Sequence, residues 1–84
     1  MNVKLKLFAT LSDYLPGEAR RGNEVALTVP DDATVAQLIQ KFNLPKTLVH
    51  LVLINGHFVP PAARGARLLS EGDVLAIWPP IAGG

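Results

Sequence analysis

Apolar and polar residues along this chain alternate first with the period of a strand, then of a helix, then of strands again. Val3, Leu5 and Leu7 alternate with Lys4 and Lys6. A period of two predicts a strand with one face on a core and the other toward water, with Phe8 on the lysine side. From Ala9 to Asn23 the pattern breaks around Pro16, Gly17 and Gly22. That stretch predicts a short helical turn over Leu11 to Tyr14 followed by a polar loop. Val25, Leu27 and Val29 alternate with polar or small neighbours and stop at Pro30, a second strand. Asp31-Asp32 forms the turn after it. Val35, Leu38, Ile39 and Phe42 then fall at helical spacing and make one apolar stripe. Thr34, with Gln37 three positions on, predicts a capping box at the helix start. Asp31 and Asp32 read as acids favouring its positive end, and Asn43 and Pro45 end it. Leu51 to Ile54 predicts a third strand, Asn55-Gly56 a tight hairpin turn, and His57 to Val59 a short fourth strand stopped by Pro60-Pro61. Pro60 to Arg67 reads as an irregular crossing. Ser70 to Asp73 is a turn, and Val74 to Trp78 a last strand closed by Pro79-Pro80.

The order strand, strand, helix, strand, short strand, strand has one helix and no internal repeat. Its simplest packing is an α+β fold, a mixed sheet of four to five strands wrapped over the helix. An opening hairpin followed by the helix is the order of a ubiquitin-like β-grasp. The expected division is a domain over residues 1–78 and an exposed, flexible tail over 79–84.

Composition narrows the chemistry. The 84 residues carry 8 Lys+Arg against 7 Asp+Glu, and 49% are hydrophobic. A formal charge of +1 lacks the basic footprint of a nucleic-acid binder, so no nucleic acid is expected as a partner. The absence of cysteine excludes disulfides, thiolate zinc sites and a Cys nucleophile. No apolar run is long enough to span a membrane, and MNVKLKLF lacks the apolar core of a signal peptide. A cytoplasmic location and no membrane partner are the expectation.

Conventional catalytic sets are missing. His50 and His57 stand seven apart across a turn without a carboxylate motif, and read as surface or structural residues. No phosphate loop is present, and no metal site is expected. Arg20-Arg21 and Arg64/Arg67 read as solvated basic pairs in loops. The odd feature is the end, Pro79-Pro80-Ile81-Ala82-Gly83-Gly84. Prolines past a strand stiffen the exit and direct the chain away from the sheet. Glycines can thread a narrow channel, and a glycine carboxylate is the least hindered one that a chain can offer.

The segments VKLKLFATLSDYLPG, VPDDATVAQLI and LVLING, and above all LLSEGDVLAIWPPIAGG, resemble the MoaD/ThiS family of ubiquitin-like sulfur carriers. The likeness is strongest to its molybdopterin branch, the small subunit of molybdopterin synthase. It implies a reagent rather than a self-contained enzyme. A ubiquitin-activating-type adenylating enzyme would use ATP to join the Gly84 carboxyl group to AMP, and a persulfide sulfur donor would convert it to a thiocarboxylate. No cofactor is bound by the carrier. The tail from Pro79 through Pro80, Ile81 and Ala82 to Gly83 would enter the large subunit of molybdopterin synthase and give up sulfur there. The same tail chemistry fits a carrier for thiamine or another product, or a modifier conjugated through Gly84. An inert interaction module is the reading outside this group.

Alternation also suggests where partners bind. With Leu75 and Ile77 inward, Val74, Ala76 and Trp78 face outward. If the first and last strands are neighbours, Phe8 and Trp78 share a patch beside the tail, suited to anchor the partners. Two features depart from the family pattern. His57 to Arg67 is longer than a minimal carrier needs and reads as a spacer, and Trp78 stands where Phe is commoner.

Overall fold

The computed structural model describes residues 1–80. Five strands form one mixed sheet: β1 (Asn2–Leu7), β2 (Glu24–Thr28), β3 (Leu51–Ile54), β4 (His57–Phe58) and β5 (Val74–Trp78). Their spatial order is β2-β1-β5-β3-β4. β1 and β5 are parallel, and the remaining pairs are antiparallel. One helix, α1 (Val35–Lys41), covers a single face. This is the expected ubiquitin-like β-grasp.

The alternation becomes the two faces of the sheet. Val3, Leu5 and Leu7 from β1, Leu75 and Ile77 from β5, and Val52 and Ile54 from β3 are buried with Val35 and Leu38 of α1. Ile39 and Phe42 complete the stripe but are half-buried at its margin. β2 ends at Thr28, one residue short of the predicted strand, while Val29 is still buried and donates its N–H to the Met1 carbonyl at 2.8 Å. Between β1 and β2 a 3-10 turn over Ala9–Tyr14 and another over Gly17–Ala19 drop Leu11 and Leu15 into the core.

Both ends of α1 are closed by backbone accounting. The Thr34 side chain accepts from the Gln37 N–H at 3.2 Å, and the Gln37 side chain accepts from the Thr34 N–H at 2.9 Å, the expected capping box. At the other end Asn43 takes a left-handed φ of 56°. Leu44 donates to the Ile39 carbonyl and Asn43 to that of Gln40, a Schellman closure. Of the two acids before the helix, Asp31 also pairs at 3.3 Å with the Met1 ammonium.

The segment expected to be a spacer is instead a brace. A 3-10 turn over Pro61–Ala63 leads it back to the helix start. There the Arg67 carbonyl accepts from the Val35 N–H at 3.0 Å and the Arg64 carbonyl from the Ala36 N–H at 3.1 Å. These are two of the donors that a helix start leaves without a partner inside the helix. Leu69 then donates to Ala33 at 2.9 Å and buries its side chain.

Candidate functional site

The parallel pairing of β1 and β5 runs Lys4–Val74, Leu5–Leu75, Lys6–Ala76 and Leu7–Ile77. One step further, Phe8 and Trp78 stand side by side, with the Phe8 N–H on the Ile77 carbonyl at 3.2 Å. Their rings stack at 4.2 Å between centroids with 3° between planes. Stacking of this kind contributes about 0.5–1.5 kcal/mol beyond area burial. Both rings are half-buried on the face that α1 leaves open. The expected outward register of Val74, Ala76 and Trp78 is therefore present, and the two aromatics meet in one platform.

A bend sets the platform's edge. Ala9 directly follows Phe8 and holds φ at 53°, a left-handed conformation uncommon outside glycine. Ser12 Oγ donates to the Ala9 carbonyl at 2.9 Å, and the Leu11 N–H to that of Phe8 at 3.1 Å. The turn diverts the chain from the sheet immediately past the ring.

The platform continues across the sheet through residues that sequence reasoning missed. Leu51 pairs with Trp78, and Leu53 pairs with both Ala76 and Phe58. Paired residues share a face, so Leu51, Leu53 and Phe58 extend the apolar strip from Phe8 to the sheet edge. Phe58 is 57% exposed. The signal that could have found it was the two-residue Asn55-Gly56 loop, whose φ values of 50° and 84° fit a type I′ turn. That loop length places Phe58 opposite Leu53. Lys4 and Lys6 flank the strip, and Lys6 Nζ lies 3.8 Å from Glu24 Oε1.

Asp73 ties the hairpin to the start of β5. Its Oδ1 accepts from Asn55 Nδ2 and its Oδ2 from the Ser70 N–H, each at 2.8 Å. Asn55 Oδ1 accepts in turn from the Val74 N–H at 2.9 Å.

The basic residues divide. Arg20, Arg21 and Arg67 are exposed as expected, but Arg64 is 9% exposed and is not a solvated loop residue. Its Nε donates to the Val59 carbonyl at 3.2 Å, Nη1 to Val49 at 3.4 Å and Nη2 to His50 at 3.0 Å. Burial pushes the guanidinium below its ordinary pKa. His50 and His57 are exposed, and among the described residues no group of three His, Cys, Asp or Glu side chains gathers. No described helix is long and apolar enough to cross a membrane.

β5 ends at Trp78, as the prolines require; Pro79 is half-buried and Pro80 exposed. Ile81, Ala82, Gly83 and Gly84 lie outside the described residues.

A model of the ThiS family matches residues 5–84. The chain belongs to the ThiS family. No curated protein matches it. Among solved structures, this ThiS-family chain resembles the HVO 2177 protein of Haloferax volcanii, with 28% identity over 100% of this chain and 87% of that one, at a TM-score of 0.72. It also resembles SAMP1, small archaeal modifier protein 1, from the same organism, with 26% identity, full coverage of both chains and a TM-score of 0.68. A complex of subunits 1 and 2 of molybdopterin-converting factor from Helicobacter pylori shares the fold at 19% identity, full coverage of both chains and a TM-score of 0.60. The family match runs through Gly83 and Gly84.

Proposed function

We propose that this ThiS-family chain is a sulfur carrier that works through the Gly84 carboxyl group, serving molybdopterin synthesis as the small subunit of the synthase. The observation that carries the reading is the meeting of tail and platform. β5 stops at two prolines beside the stacked Phe8–Trp78 pair, so the segment 79–84 starts from an apolar surface suited to a protein partner. An adenylating enzyme joins the Gly84 carboxylate to the α-phosphate of ATP and releases pyrophosphate. The outer sulfur of a persulfide then displaces AMP to give an acyl disulfide, and a thiol cleaves its S–S bond, forming a disulfide with the donor sulfur and releasing the thiocarboxylate. Phe8 and Trp78 anchor both the adenylating enzyme and the large synthase subunit, while Pro79 to Gly83 thread the partner's channel. The catalytic side chains belong to those partners.

A modifier role is the second reading, favoured by the 26% identity to SAMP1 over the full length of both chains. A carrier for thiamine shares the same activation step.

Incubation with the adenylating partner and ATP tests the shared step. Full-length chain gives ATP-dependent pyrophosphate release, and deletion of Gly84 abolishes it while leaving the circular-dichroism spectrum and melting curve unchanged. Release that survives the deletion overturns the assignment of Gly84.

A further inference from the structure

The β3–β5 ladder ends where the tail begins. Beyond the Leu51–Trp78 pair, the last link is the His50 N–H on the Trp78 carbonyl at 3.0 Å. Pro79 and Pro80 have no N–H, so β5 can donate no further bond, and a ladder end of this kind opens readily. Arg64 closes this end from behind. Nη2 holds the carbonyl of the same His50 at 3.0 Å, Nη1 holds Val49 at 3.4 Å, and Nε reaches Val59 at 3.2 Å. The Arg64 carbonyl meanwhile caps Ala36 at the start of α1. One residue thus joins the helix start, the end of β4 and the stretch before β3. Among the described residues the guanidinium meets no carboxylate at ion-pair distance; its acceptors are three backbone carbonyls. Burying a cation without a counter-ion is costly. A planar fork that engages three carbonyls offsets that cost in a way that a lysine or an apolar side chain does not.

We propose that Arg64 is a positioning residue for the tail. Through the His50 peptide it fixes the point and direction at which the chain leaves the sheet, and it keeps Trp78 in register beneath Phe8. The consequence for activation rests on the sulfur-carrier reading; the clamp itself does not.

Amide hydrogen exchange by NMR on the full chain tests the clamp in Arg64→Gln and Arg64→Lys, and the lysine variant covers the case in which glutamine fails to fold. The expected result for Arg64→Gln is exchange at His50 at least about tenfold faster than in the wild type after normalising to the β1 amides of Leu5 and Leu7, as loss of a charge-assisted bond implies. Arg64→Lys, able to reach one carbonyl, falls between the two. Uniform acceleration across the sheet, or no change at His50, overturns the proposal. In the pyrophosphate-release assay both variants raise KM for the carrier, by up to about tenfold, with kcat nearly unchanged. A lowered kcat at constant KM also overturns it. If the wild-type chain is activated by no adenylating enzyme, the sulfur-carrier reading fails, and the exchange ratio at His50 still decides the clamp.

Discussion

The Phe8–Trp78 stack can be tested by a double-mutant cycle on folding stability. Trp78 is half-buried, so Trp78→Ala removes about 100 Å² of buried apolar surface, worth about 2.5 kcal/mol at 25 cal/mol/Å². The smaller Phe8 ring, equally half-buried, gives about 2 kcal/mol by the same arithmetic. If the 4.2 Å, 3° stack persists in solution, each single variant also loses about 1 kcal/mol of stacking beyond area, for about 3.5 and 3 kcal/mol. The double variant then loses about 5.5 kcal/mol rather than the 6.5 or so of simple addition. A domain of about 7 kcal/mol or more, within the ordinary range of about 5–15 kcal/mol, survives all three changes. Urea unfolding followed by far-UV circular dichroism suits the measurement, because one variant removes the only tryptophan. At about 1 kcal/mol/M for so small a chain, Trp78→Ala shifts the midpoint by about 3.5 M. Additivity within about 0.3 kcal/mol would refute the stack. A Trp78→Ala loss above about 4 kcal/mol would refute the open face instead, since only a ring closed into the core costs that much.

Two further substitutions probe the devices that position the platform. Ala9→Gly relieves the left-handed φ of 53° at an exposed site and should raise stability by about 0.5–1 kcal/mol, read as a higher urea midpoint; a lower midpoint would mean that the alanine methyl packs. Asp73→Ala leaves Asn55 Nδ2 and the Ser70 N–H without their acceptor and should cost about 2 kcal/mol, a fall of about 10 °C in Tm by calorimetry. An unchanged Tm would show that water replaces the carboxylate.

Much of this architecture was legible because local rules and global packing agree. The period-two alternation of β1 and β5 carries over to their two faces, Thr34 and Gln37 form the capping box, and Asn43 takes the left-handed closing position. The meeting of Phe8 and Trp78 followed from placing β1 beside β5 with that alternation. What escaped the sequence depends on distant partners. Leu51-Val52-Leu53-Ile54 is apolar throughout, so its division into an open and a buried face comes only from the neighbours β4 and β5. Arg64 stands among alanine, proline and glycine and reads as solvated. Three carbonyls, two of them from residues fourteen and fifteen positions earlier, make it a buried clamp. The pairing of Asp31 with the Met1 ammonium is hidden because the chain's path back past Met1 is not a local property.

As the proposed reacting centre, the Gly84 carboxyl group should carry sulfur in the cell. Intact mass of the protein purified from its native cells without added reductant tests it most directly. The expected result is a population heavier by the exchange of one oxygen for one sulfur, with fragmentation placing that change on Gly84. A population carrying only the unmodified carboxylate, or one joined through Gly84 to the lysines of other proteins, would contradict the carrier reading.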